Sequence, residues 1–269
     1  MCEIRRRGTR FIDSPREGWS GLKSTTHKSE SGSEALRLFR IAKACYGVST
    51  DSSYKQGFEL LKRAAALGSI GAHEWLGAVY DYGLGTRRSR RRSFEHYLTA
   101  ANAGNSNAEY HIGVLYLDRV VGREDYSRGL KWINKAASHG DATAVHVLGH
   151  SYRYGLGVPR HPKKGFALEL KAARKGVPEA QFAVGFRLSR GTGVRPDHEQ
   201  ALKWYRKAAN RGIADAAYNV GYFYDNGRGT KKDREKAKHW YARAEQLRKE
   251  RKNTRAPLPP LGGSRSARL

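Results

Sequence analysis

Two histidines are the first residues whose spacing could do chemistry. His146 and His150 stand four apart, which on a helix puts both imidazoles on one face and within reach of one metal ion. A tight site takes three or four ligands. Tyr110, Val114, Phe182 and Phe186 occupy the corresponding places 36 residues earlier and later, so no third ligand is at hand. The expectation is no metal, with the pair serving as two histidines of a binding surface. Gly227-Arg228-Gly229-Thr230-Lys231 resembles a phosphate loop. It follows a helical pattern rather than a strand, and it recurs along the chain, so it reads as a turn. The sharpest charge feature is Arg87-Arg88-Ser89-Arg90-Arg91-Arg92, which would contact an anion or a nucleic acid or would simply be a solvated loop. There is no Gly-x-Ser-x-Gly, no His-Glu-x-x-His and no Cys-x-x-Cys. Nothing gathers a nucleophile, a base and an orienting group, so the sequence predicts neither an enzyme nor a cofactor.

What positions these residues is a repeat of 36 residues, best seen from Ala180 to Asp215. Val184-Gly185 returns as Leu76-Gly77, Ile112-Gly113, Leu148-Gly149 and Val220-Gly221, and Ala208-Ala209 returns as Ala64-Ala65, Ala100-Ala101, Ala136-Ala137 and Ala172-Ala173. Five full copies begin at Ala72, Ala108, Ala144, Ala180 and Ala216, and a worn sixth occupies about 36–71. A fixed period of this size marks a repeat solenoid. In the copy at 180–215, Ala180, Val184, Arg187, Leu188 and Gly191 recur at helical spacing. Gly185 lies just off that stripe. A glycine inside a helix costs about 1 kcal/mol relative to Ala, so its return in every full copy predicts a neighbouring helix that needs the missing side chain. Gly191-x-Gly193 ends the first helix. Asp197 with Gln200 three residues on caps the second, whose apolar face is Ala201, Leu202, Trp204, Tyr205, Ala208 and Ala209. The expected fold is all-α, an α-solenoid of about six helix–loop–helix units.

The pattern resembles the Sel1-like repeat family, a relative of the tetratricopeptide repeat. The resemblance rests on Ala72, Leu76, Gly77 and Tyr80 of the opening, on the Gly83-x-Gly85 loop, and on the finish from Ala201 to Gly212. It spans about 36–250 and is specific, because a tetratricopeptide unit has 34 residues and no Gly-x-Gly insertion. Two copies depart from it: at 108–143 Arg119-Val120-Val121 replace the paired glycines, and at 36–71 the Leu-Gly pair is lost. The resemblance implies a right-handed superhelical α-solenoid that binds other proteins, and it implies no chemistry.

Composition bounds the rest. A net charge of +26 with a pI near 10.3 points to acidic partners: protein, nucleic acid or an anionic membrane. Cys2 and Cys45 make no disulfide framework. No apolar run is long enough to span a bilayer, and the first residues lack the apolar core of a secretory signal, so the expected location is cytoplasmic. Residues 1–34, rich in Ser, Gly and Arg, are expected to be a disordered segment, 35–250 the solenoid, and 251–269 a disordered basic tail containing Pro257-Leu258-Pro259-Pro260.

In tetratricopeptide arrays the side of the first helices opposite the stripe lines the inner, concave wall. At 100° per residue those positions here carry Tyr82, Tyr110, Val114, Leu117, His146, His150, Tyr154, Phe182, Phe186, Tyr218 and Tyr222. A wall that only met water would be polar, so a protein or peptide partner, an acidic one on the charge argument, is expected to lie along it. The inter-helix loops add a positive but interrupted edge: Arg87, Arg88, Arg90, Arg91 and Arg92, then Arg160, Lys163 and Lys164, then Lys231 and Lys232. Binding of a nucleic-acid backbone by these loops and the tails is the alternative. A continuous basic groove with stacking aromatics would favour it more strongly.

Overall fold

The structure, a computed structural model, describes residues 20–48, 50–118 and 125–253, with side chains from 31 to 251. Within them are twelve helices and no strand: α1 Ser20–Val48, α2 Asp51–Ala66, α3 Ile70–Tyr82, α4 Arg90–Asn102, α5 Ser106–Leu117, α6 Tyr126–Ser138, α7 Ala142–Tyr154, α8 Pro162–Arg174, α9 Pro178–Arg190, α10 His198–Asn210, α11 Ala214–Asn226 and α12 Arg234–Asn253. Consecutive helices pair as hairpins, α1 with α2 through α11 with α12, and each hairpin packs on the next. The helical backbone of α1 starts at Ser20, inside the segment expected to be disordered; residues 1–19 and the tail at 254–269 lie outside the described residues.

Each unit is built by the signals in its own sequence. Asp197 is the N-cap of α10, its carboxylate accepting the Gln200 amide at 2.9 Å. Ser69, Ser89, Asn105, Asp125 and Asp141 cap their helices in the same way. Gly83, Gly155, Gly191 and Gly227 close the first helices in the left-handed conformation. The second glycine of the loop has a different task. A Cβ on Gly85 would strike the backbone of Tyr54, and one on Gly229 the backbone of His198. Those residues begin the second helices of the preceding units, so this glycine lets one unit's loop close on its predecessor. The corresponding stretch at 119–124, where the paired glycines are lost, lies outside the described residues.

The stripe of the first helices is buried as expected: Ala72, Ala108, Ala144, Ala180 and Ala216 have no exposed surface, nor do Ile112, Val184 and Val220. The helix glycines sit where the second helix crosses. A Cβ on Gly185 would lie 2.8 Å from the Tyr205 ring, on Gly77 2.6 Å from Tyr97, on Gly113 2.6 Å from Ile133, and on Gly221 2.8 Å from Tyr241. The fifth crossing differs, because Gly149 faces the Glu169 side chain at 2.8 Å.

Candidate partner-binding cleft

Along the face opposite the stripe, burial changes from one end of the stack to the other. Tyr110 and Leu117, expected on an open wall, are only 2% and 7% exposed. They belong to a core cluster with Leu130, Ile133, Val147 and Leu148. α6 and α7 close over them, and burial pushes the Tyr110 phenol far up. Val114 is half-buried against the same cluster, and Tyr82 is half-buried too. The wall therefore does not begin at α5. It opens at Tyr154, 52% exposed, and continues to Tyr218 at 47% and Tyr222 at 36%, with Phe182 and Phe186 half-buried between them.

Between α9 and α11 this face forms a cleft of about 530 Å³. Phe182, Phe186, Ser189 and Arg190 come from α9, Asp215, Tyr218, Asn219, Tyr222 and Phe223 from α11, Tyr205 from α10, and Arg228 from the loop after α11. The floor is fixed by ring packing: Tyr205 lies 5.8 Å from Phe182 and 5.5 Å from Phe223, centroid to centroid. Tyr205 keeps its hydroxyl 3.3 Å from Ser189 Oγ. Cations cover the rim. The Arg190 guanidinium lies 4.9 Å from the Phe186 ring, Arg228 lies 5.2 Å from Tyr222, and Arg153 lies 4.7 Å from Tyr154 and 5.7 Å from Phe186. Helical spacing found the aromatics. Arg228 escaped it, because it sits inside a Gly-x-Gly segment that reads as a turn.

His146 and His150 lie at the edge of the same face, both half-buried, with their Nδ1 atoms buried and lacking a hydrogen-bond partner. Burial first, then His150 and Arg187 for His146 and the two cations Arg153 and Arg187 for His150, pushes each down to about 4 from 6.5, so both are neutral at pH 7. Among the described residues no three His, Cys, Asp or Glu side chains gather as a metal site. Beneath the histidines is an ion pair that the repeat pattern only hinted at. Glu169 on α8 and Arg187 on α9 meet at 2.8 Å, both fully buried, and Arg187 Nη1 donates to Pro162 O at 3.1 Å. Burial pushes the carboxyl up and the guanidinium down, and each partner opposes the other's shift. At the next junction the same two register positions hold Tyr205 and Phe223.

The basic edge is largely engaged within the molecule. Arg88 Nε donates to Asp81 O at 2.7 Å, and the guanidinia of Arg88 and Arg90 lie 3.5 and 3.9 Å from the Asp81 carboxylate. Arg91 pairs with Glu95 at 3.2 Å, and Arg92 covers the Tyr80 ring. Arg160 Nε donates to Arg153 O, repeating the role of Arg88, and Lys164 reaches Tyr152 Oη at 2.7 Å. Arg87, Lys163, Lys231 and Lys232 are exposed.

Comparison with known proteins agrees with this architecture. A Sel1 repeat model matches residues 38–69, 71–105, 106–141, 142–177, 178–213 and 214–247. Among solved structures, a Sel1 repeat protein from Oxalobacter formigenes superposes with a TM-score of 0.74 at 27% identity, covering 84% of this chain and 99% of that one. The protein c5321, a protective antigen of uropathogenic Escherichia coli strains with an SLR fold, gives 0.69 at 26% identity, and the match spans 84% of this chain but 48% of that one. The immunity protein Pa5087 from Pseudomonas aeruginosa shares the fold, with a TM-score of 0.58 at 21% identity over 79% of this chain and 81% of that one. No curated protein matches in sequence. Among the described residues no helix is long and apolar enough to cross a membrane. Six consecutive matches covering nearly every described helix, on an all-α stack of hairpins, place the chain in the Sel1 repeat family.

Proposed function

We propose that the protein is an adaptor that holds a segment of a partner protein in the cleft between α9 and α11. Sel1 repeat proteins generally act as protein–protein interaction scaffolds. The observation that carries the reading for this chain is the cleft itself, about 530 Å³, with Tyr218 and Tyr222 exposed on one side and Phe182 and Phe186 on the other. Exposed aromatic surface of this kind is costly to keep in water and is typical of interaction sites. Tyr and Arg, both present here, are the side chains that most often dominate binding energy. Arg88, Arg90, Arg92 and Arg160 are engaged within their own hairpins, which favours the cleft over the basic edge as the docking element.

The test replaces Phe182, Phe186 and Tyr222 together by Ala and compares what the two proteins retain from the source cell at low and high salt. The expected result is a protein partner that survives high salt on the wild type and is lost from the variant, with far-UV circular dichroism unchanged. The same partners on both would overturn the reading. Retention dominated by nucleic acid that falls steeply with salt would favour backbone binding through the charged loops instead.

A further inference from the structure

The geometry points to a defined occupant for the cleft: a peptide segment with acidic side chains flanking an apolar one. This rests on the cleft being the docking site and adds the chemistry of what docks. Arg190 and Arg228 reach the cleft from opposite sides, one from α9 and one from the loop after α11. Each guanidinium is held over an aromatic ring, Phe186 at 4.9 Å and Tyr222 at 5.2 Å, rather than against a carboxylate. A stacked guanidinium keeps its in-plane N–H donors free, and their fork matches the two oxygens of a carboxylate. Stacking also restricts the side chain before binding, so less entropy is lost when an anion arrives.

The one carboxylate lining the cleft does not compete for these arginines. Asp215 pairs with Arg248 at 3.0 Å, and Arg248 in turn covers the Tyr218 ring. The lining thus presents two uncompensated cations around an apolar floor of Phe182, Tyr205 and Phe223. An apolar side chain fills the floor and acidic neighbours meet the arginines. A further arginine, Arg153, continues the series toward Tyr154, so the acidic character extends beyond the cleft. A single-stranded nucleic acid fits less well, because Arg190 and Arg228 flank an apolar floor from two sides rather than forming the continuous basic track that a phosphate backbone follows.

The experiment displays random short peptides against the full chain and sequences those retained. The inference expects acidic residues on both sides of an apolar or aromatic one. For one enriched peptide, Arg190→Gln with Arg228→Gln should weaken binding roughly tenfold or more, as should Glu-to-Gln changes in the peptide, with little further loss when the two are combined. Neutral or basic enriched peptides whose binding ignores R190Q/R228Q but is lost in F182A/F186A/Y222A would overturn the acidic occupant and leave the cleft standing. Enriched peptides that bind the triple alanine variant equally well would overturn both. No enrichment, or displacement of every peptide by an oligouridylate, would also overturn both.

Discussion

The junction between α8 and α9 isolates a single chemical substitution in an otherwise repeating core. Where Tyr205 meets Phe223 one unit later, Glu169 meets Arg187. Both charges are fully buried, and their attraction must offset the cost of removing each from water. Arg187 also donates to Pro162 O, so it ties the first turn of α8 and a later turn of the same helix to α9. Changing either partner alone, Glu169→Tyr or Arg187→Phe, should cost about 3–5 kcal/mol in thermal or urea unfolding, because the remaining charge is buried unpaired. The double change E169Y/R187F copies the neighbouring junction. It should restore wild-type stability or exceed it by about 1–4 kcal/mol, less the roughly 1 kcal/mol that Pro162 O forfeits. Single variants within about 1 kcal/mol of wild type would show that the pair does not hold this junction. The sequence displays Arg187 at a stripe position that is otherwise mostly apolar. Its partner is in the preceding unit, and only packing across units brings the two together.

At the scale of the helix, the recurrent glycine was legible as a close approach, and the structure supplies the neighbour: Tyr205 for Gly185, Tyr97 for Gly77. Overpacking by Gly185→Ala should cost about 1–3 kcal/mol, which the roughly 1 kcal/mol gained in helix propensity offsets only in part. Gly32, also in a helix but with nothing within 4 Å of its absent Cβ, gives the control, and G32A should be stabilising or neutral. Equal effects of the two changes in thermal unfolding would refute the steric account. The wall was less legible. A helical wheel gives the direction of a side chain and not how far the next unit closes over it. Tyr110 and Tyr218 occupy the same register position, yet one is sealed and the other nearly half exposed: α7 covers the first, and among the described residues no helix covers the second in that way. Arg228 was missed for the converse reason: a loop residue has no periodicity to read.

In the whole molecule, contacts run mainly from each hairpin to its neighbours, as expected for a linear array in which no unit buries its apolar face alone. That is why the fold could be read from a period while the extent of the open wall could not: the period fixes nearest-neighbour packing, and exposure depends on how far each neighbouring unit closes over the face. It also bears on the proposed docking. Covering α9 and α11 with a partner need not disturb α3 to α5, which are separated from them by the α7–α8 hairpin. The most direct measurement is hydrogen–deuterium exchange on the full chain with and without a retained peptide. The account predicts slowed exchange concentrated in α9, α11 and the loop carrying Arg228, with α3, α4 and α5 unchanged. Protection confined to the loops at 83–90 and 155–162, or spread evenly over the stack, would contradict it.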